Sequence, residues 1–440
     1  MLTESLRKVN YKECLHMKKL TAVVVGFGAR GARCAEYALD HPDELEIVAV
    51  ADATPVKLES AKVRHNLPDN MLFTDWKDLA TLPKLADFAI IGTQDKLHYA
   101  PAMALIEKGY NLLLEKPIAP TAKECKEVAE AAEKKGVKVV ICHIMRYTDF
   151  WRKIKELLDQ DTIGEIKSIS YMENVGNEHY AHSFVRGPWR KAADSSCMIL
   201  AKSCHDMDVL LWLTGKKCKR IQSFGSLTHF TRANQPEGAA DRCVDGCPYY
   251  ETCVYSAKKQ YFDRAPIHYF RRVACGTVEE TTDEKLREAM KTGPYGRCVY
   301  ACDNDVVDHQ VVNLEFEDGC TVSFSMCGFS EHGRMVRIYG TKGELIAEQD
   351  KLTFSVYSFA TCERTEHRIE VTGPQDYRRG HGGGDQKLLE YTLQYLRGEG
   401  CEKDVSTIQS AYRNHLMSFA AEESRLTGRV IDLDQFSEEI

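Results

Sequence analysis

Between residues 19 and 143, short and almost uninterrupted apolar runs alternate with longer stretches in which apolar residues recur every three or four positions. The runs cover 21–25, 46–51, 88–92, 111–114 and 138–142, and their lack of polar alternation reads as strands buried on both faces. Strand alternating with helix predicts a parallel α/β sheet. The helix expected over 121–135 opens on the pair Thr121 and Glu124, which can cap each other's backbone, and stops at Gly136.

After Arg146 and Tyr147 the period changes. A helix is expected over 150–158, followed by longer strands that alternate apolar and polar positions. Residues 313–326 read as a hairpin turning at Asp318-Gly319, and 335–346 repeat the pattern around Lys342-Gly343. A helix over 406–427 carries Ile408, Tyr412, Leu416 and Phe419 on one stripe and ends at Gly428, so it is expected to be scaffold.

The first strand runs into Gly26-Phe27-Gly28-Ala29-Arg30-Gly31. In that spacing Gly26 allows a tight turn, Gly28 lets the backbone approach a pyrophosphate and Gly31 lets the following helix pack on its strand. The free N–H groups and positive dipole end of the helix then face the anion. The second strand ends at Asp52, whose carboxylate can accept from a ribose 2′-hydroxyl and would repel a 2′-phosphate. NAD is therefore favoured over NADP.

A fourth strand leads into Glu115-Lys116-Pro117, which places an ammonium at the carboxyl end of a sheet, where the cofactor crevice of such folds lies. The glycine motif, Asp52 and Glu115-Lys116-Pro117 in this order, followed by a large second region, resemble the Gfo/Idh/MocA family of sugar and cyclitol dehydrogenases. The resemblance implies a Rossmann domain over 19–143 after an extension over 1–18. It also implies a substrate and oligomerisation domain over 144–440, an α+β unit with a large, mostly antiparallel sheet. Cofactor contacts are expected from Gly26, Phe27, Gly28, Ala29, Arg30, Gly31, Asp52, Thr93, His98, Glu115 and Lys116.

The segment 198–214 reads as one amphipathic helix stopped by Gly215, with Lys202, His205 and Asp208 on a shared face. The resemblance makes His205 the catalytic histidine and Lys116 its partner: His205 takes the proton of a ring hydroxyl while Lys116 hydrogen-bonds the oxygen as it becomes carbonyl. One departure stands out. Many family members carry an aspartate four residues before the histidine, and here that position is Ala201. Substrate contacts are expected from Arg146, Tyr147, His182, Trp189, Lys202 and Asp208, and Asp385 is expected to be an N-cap. Three functions stay open: a dehydrogenase of a sugar, glycoside or cyclitol; an NAD-dependent glycosidase using transient oxidation and elimination; and a regulator sensing NAD or sugar.

At 440 residues the chain suits two domains, and its net charge of −7 argues against a nucleic-acid or anionic-membrane partner. No apolar stretch reaches the roughly 18 residues of a membrane span, and the first residues lack a secretory apolar region. A cytoplasmic homo-oligomer is expected. Of 17 cysteines most stand singly in apolar segments. Cys243, Cys247 and Cys253 cluster in an insertion over about 232–305, where structural zinc is expected, with Cys298 or Cys302 as fourth ligand. An iron–sulfur cluster and free thiols are the alternatives.

Overall fold

The computed structural model describes residues 18–263, 268–277, 281–370 and 381–440, so nearly all of the expected N-terminal extension lies outside the described residues. The first sheet has six parallel strands in the order β3-β2-β1-β4-β5-β6. They are β1 (Leu20–Val25), β2 (Leu45–Ala51), β3 (Leu72–Phe73), β4 (Phe88–Ile91), β5 (Asn111–Leu114) and β6 (Val139–Ile141). Alternate residues of β1 feed opposite faces, which explains the unbroken apolar runs. Ala22 and Val24 pack with Leu388, Leu389 and Leu393 from the helix Gly384–Arg397, whereas Val23 and Val25 share a core with Ile408 and Ala411 from the helix Ile408–Thr427. The end of the chain thus returns to complete the core of the beginning.

The two-residue strand β3 is too short to leave a periodic signal and has no counterpart among the expected elements. The helix Ala122–Lys135 is capped as expected: Thr121 Oγ1 accepts from Glu124 N and donates to Glu124 Oε2, and Gly136 closes it with φ +64°.

The second sheet has nine strands in the order β14-β13-β12-β11-β7-β10-β9-β8-β15. They are β7 (Ile166–Asn174), β8 (Cys218–Ser226), β9 (His309–Phe316), β10 (Thr321–Cys327), β11 (Gly333–Gly340), β12 (Gly343–Glu348), β13 (Thr353–Ser358), β14 (Glu363–Arg368) and β15 (Ile431–Asp432). Every pair is antiparallel except β7 with β10. Gly319, at φ +82°, turns the β9–β10 hairpin. Inward positions such as Ile169, Val312, Leu314, Val322, Phe324 and Ile338 pack under the helices Asp149–Asp159, Cys204–Thr214 and Ile408–Thr427. The outer face is polar apart from exposed residues such as Phe224 and Met335. No helix among the described residues is long and apolar enough to cross a membrane.

Candidate active site

The turn after β1 separates two kinds of glycine. A Cβ on Gly31 would sit 1.9 Å from the Gly26 carbonyl oxygen, and one on Gly26 would meet Thr93 N at 2.7 Å. Packing alone requires both to be bare. Gly28 has no such constraint, since its nearest neighbour would be Lys57 Nζ at 3.9 Å. It precedes the helix Ala29–Asp40 without any side-chain cap, leaving that helix's first N–H groups for an anion. The cradle therefore fits a pyrophosphate.

Asp52 is already fixed in orientation. Its Oδ2 accepts from Phe27 N at 2.8 Å and its Oδ1 from Thr54 N at 2.9 Å, with Lys57 Nζ 3.5 Å away. Lys57 gave no signal in the sequence, because its approach depends on the following helix. Arg30 leaves the first turn to bind Glu115 Oε1 at 2.7 Å and Asp385 Oδ1 at 2.8 Å. Asp385 is consequently not an N-cap; Gly383 takes that position and Asp385 lies inside the helix as a partner of Arg30. His98 ties two crevice loops together, its Nδ1 2.6 Å from the Pro117 carbonyl and its Nε2 3.1 Å from that of Thr93. Ala29 is exposed on the first helical turn, and Phe27 is buried.

Lys116, at the end of β5, donates from Nζ to the Ala201 carbonyl at 2.8 Å. The ammonium thus crosses to the second domain and reaches the backbone of the position where the family places its aspartate. The expected single helix over 198–214 is in fact two, Met198–Ala201 and Cys204–Thr214, broken at Lys202 and Ser203. The break sends the three residues expected on one face to different partners. His205 faces inward beside His143, ring centroids 5.9 Å apart. Lys202 pairs with Glu173 at 3.1 Å, and Glu173 with Arg334 at 2.6 Å. Arg334 also binds Asp206 at 2.6 Å. Burial and the nearby Glu173 raise the Asp206 carboxyl to about 6 against the pull of Arg334.

Asp208 lies at the centre of a buried strut. Arg146 binds it through Nε at 2.8 Å and Nη2 at 2.5 Å, Asn414 donates at 3.0 Å, and His143 Nδ1 lies 3.3 Å away. Its carboxyl is held well below the usual range by Arg146 and then His143, against the opposing effect of burial. Tyr147 accepts from Ser406 N at 3.0 Å. In this arrangement Arg146, Tyr147 and Asp208 are buried and committed to partners within the second domain, and His143 is the contact they receive from the end of the first. His143, two residues past β6 and fully buried beside His205 and Asp208, is the residue that sequence reasoning passed over.

The helical segments Asn177–Tyr180 and Ala181–Arg186 carry His179 and His182. His182 contacts the Tyr261 hydroxyl at 2.9 Å and is stacked between Phe270 and Tyr295, so it belongs to the contact with the cysteine insertion. His179 feels the charges of Lys202, His332 and Lys116, and burial followed by these cations holds it well below its ordinary range. Trp189 donates to Asp95 Oδ2 at 3.2 Å and links the domains.

Two profiles cover most of the chain: the oxidoreductase family's NAD-binding Rossmann fold over 20–143 and its C-terminal alpha/beta domain over 155–433. The chain belongs to the Gfo/Idh/MocA oxidoreductase family. Over 367 residues, 78% of this chain and 81% of the relative, it is 24% identical to the oxidoreductase YteT of Bacillus subtilis. It is 27% identical to the inositol 2-dehydrogenase of Salmonella typhimurium, over 47% of this chain and 57% of that enzyme. Among solved structures, an Agrobacterium radiobacter oxidoreductase in complex with NAD+, L-tartaric acid and magnesium superposes with a TM-score of 0.66 at 13% identity, covering 95% of this chain and 99% of its own. The WlbA dehydrogenase of Bordetella pertussis, bound to NADH and UDP-GlcNAcA, superposes at 0.63 and 16% identity, over 94% and 98%. These Gfo/Idh/MocA structures share the fold, and the crevice between β1 and β4 is where the strand order of the NAD-binding domain reverses.

The cysteines expected to bind metal divide clearly. Cys243, Cys247, Cys253 and Cys298 line one small cavity of about 20 Å³, together with Arg186, whereas Cys302 is not among its lining residues. Their sulfur atoms are not gathered to metal-ligand spacing. Among the described residues, the only three donor groups within 4.8 Å of one another are Cys34, Glu115 and Cys142. Arg30 already occupies the Glu115 carboxylate there.

Proposed function

We propose that this Gfo/Idh/MocA protein is an NAD-dependent dehydrogenase acting on a ring hydroxyl of a sugar, glycoside or cyclitol. The observation that carries the reading is the contact of Lys116 with the Ala201 carbonyl, which brings the strand-end ammonium against the segment that leads into His205. NAD, when bound at the Gly26–Gly31 cradle, would supply the hydride acceptor. His205 accepts the hydroxyl proton. Lys116 donates a hydrogen bond to the same oxygen and favours the charge that develops on it. Glu115 and Arg30 brace the loop that carries Lys116, and Asp52 accepts the adenosine ribose hydroxyls.

Charge narrows the substrate. Among the described residues no carboxylate lies within ion-pair distance of Lys116, and Lys202 adds positive charge near His179. Glu173, the nearest carboxylate to Lys202, is shared with Arg334. An acidic sugar suits this imbalance better than a neutral one. The test is a matched panel of aldoses, uronic acids, glycosides and inositols, read by NADH formation and in parallel by aglycone release. Net NADH with a uronate and little with its neutral partner is expected. Aglycone release without net NADH, or no signal with any compound, contradicts the dehydrogenase reading.

Structural zinc, expected at Cys243, Cys247, Cys253 and Cys298, is not part of this proposal: the four share a cavity, but their sulfur atoms are not at metal-ligand spacing.

A further inference from the structure

His143 is fully buried, yet it uses only one of its two ring nitrogens. Nδ1 lies 2.8 Å from Ser406 Oγ and 3.3 Å from Asp208 Oδ1. The Ser406 hydroxyl donates to the same Asp208 oxygen at 3.3 Å, so its own oxygen is left to accept, and Nδ1 carries the proton that both neighbours call for. In the neutral ring Nε2 is then an acceptor, and among the described residues it has no hydrogen-bond partner. A buried acceptor left unpaired costs stability, and such a group calls for an explanation in function.

Two other imidazoles pack on this ring. His415, from the helix Ile408–Thr427, lies 5.5 Å away between centroids and has both nitrogens engaged: Nδ1 is 2.7 Å from the Ala411 carbonyl, and Nε2 accepts from Ile118 N at 3.0 Å. His205 is the other, 5.9 Å away with its ring turned 79° to that of His143. It is 5% exposed, and its Nδ1 is wholly buried. Ala201 has no side-chain acceptor to offer it. Resting on the dehydrogenase reading above, we propose that His143 is the positioning residue of His205: its Nε2 accepts from His205 Nδ1 as substrate binds, which leaves His205 Nε2 unprotonated for the reacting hydroxyl. Hydrogen bonds of this kind tighten as substrate completes a site. The hydroxyl gives its proton to His205 Nε2 while its carbon gives the hydride to NAD, so the oxygen becomes a carbonyl and His205 an imidazolium whose Nδ1–H stays on His143. Asp208 holds His143 in turn, and its carboxylate favours that imidazolium through one intervening ring.

The test separates the two nitrogens of His143. His143→Asn keeps an amide donor in the place of Nδ1 and loses Nε2, whereas His143→Gln keeps an acceptor in the place of Nε2 and loses the bond to Ser406 and Asp208. The full-length variants are compared by thermal melts, NADH titration and single-turnover NADH formation from the best substrate of the panel. His143→Asn should hold Tm and NADH affinity near those of the wild type yet slow the hydride step by roughly 10- to 100-fold, with KM for the sugar little changed. His143→Gln should melt lower yet keep the rate within about threefold. In a His205→Ala background His143→Asn should slow the step no further, because the ring it orients is gone. A purely structural role predicts the reverse, with rate following Tm. Full rate in His143→Asn, or an additive loss in the double variant, overturns the inference alone, and these two results decide it even where His143→Gln does not fold. No NADH from any panel compound with the wild-type protein overturns the dehydrogenase reading and this inference together.

Discussion

In the proposed dehydrogenase Lys116 and Asp52 act from positions that backbone contacts already hold. Both oxygens of Asp52 are held by backbone N–H groups of its own crevice, so its carboxylate is presented to a ribose in a fixed orientation. Wild-type protein should bind NAD far better than NADP. Asp52→Ala should narrow that preference by at least about tenfold, because Lys57 then remains as a cation beside the place of a 2′-phosphate. Fluorescence titration of both cofactors checks this, and an unchanged ratio contradicts it. Ala201 has no side-chain acceptor, and its backbone carbonyl receives Lys116.

At the scale of elements, the strand-turn-helix from β1 to Asp40 divides its glycines by function. Gly28→Ala should leave Tm nearly unchanged, since only Lys57 approaches the added methyl group, but should weaken NADH binding by roughly tenfold or more by crowding the pyrophosphate. Gly31→Ala should fail in stability itself, because the methyl group would overlap the Gly26 carbonyl. Thermal melts paired with NADH titrations separate the two, and equal behaviour contradicts the division. This turn was legible in the sequence because glycine spacing and apolar runs are local. The break at Lys202 and Ser203 was not. A continuous apolar period runs through 198–214, and only Glu173 and Arg334, brought in from β7 and β11, show why Lys202 turns aside. The commitment of Arg146 and Asp208 to each other was likewise invisible, since it joins residues 62 positions apart. The shared cavity of four cysteines was partly readable from spacing, but Arg186 beside them was not.

At the scale of the whole molecule, buried imidazoles govern the response to acid. His179, His182 and His415 are held below their ordinary range, His182 and His415 to about 3, by burial first and neighbouring cationic groups second. An unfolded chain protonates them near pH 6.5 while the folded one does not. Their contribution is complete above about pH 6.5 and is lost as pH falls toward about 3. Asp206 acts oppositely. With its carboxyl raised to about 6, its contribution is present at low pH and lost as pH rises through about 6. Near pH 5 these three imidazoles, joined by His65, which burial and Arg64 lower to about 4, outnumber Asp206, so unfolding takes up protons. Stability therefore falls as pH drops through this range. Urea unfolding between pH 7 and 5 should show this decline, and a flat profile down to pH 5 contradicts it.

The central claim is that Lys116 and His205, one from each domain, flank the reacting hydroxyl. It is tested most directly by single-turnover NADH formation from the best panel substrate in Lys116→Ala and His205→Ala, with NADH affinity measured on the same preparations. Each variant should slow the hydride step by roughly 10² or more while NADH affinity stays within about twofold. Full single-turnover rates in both variants, or loss of rate only in step with loss of NADH binding, would contradict the account.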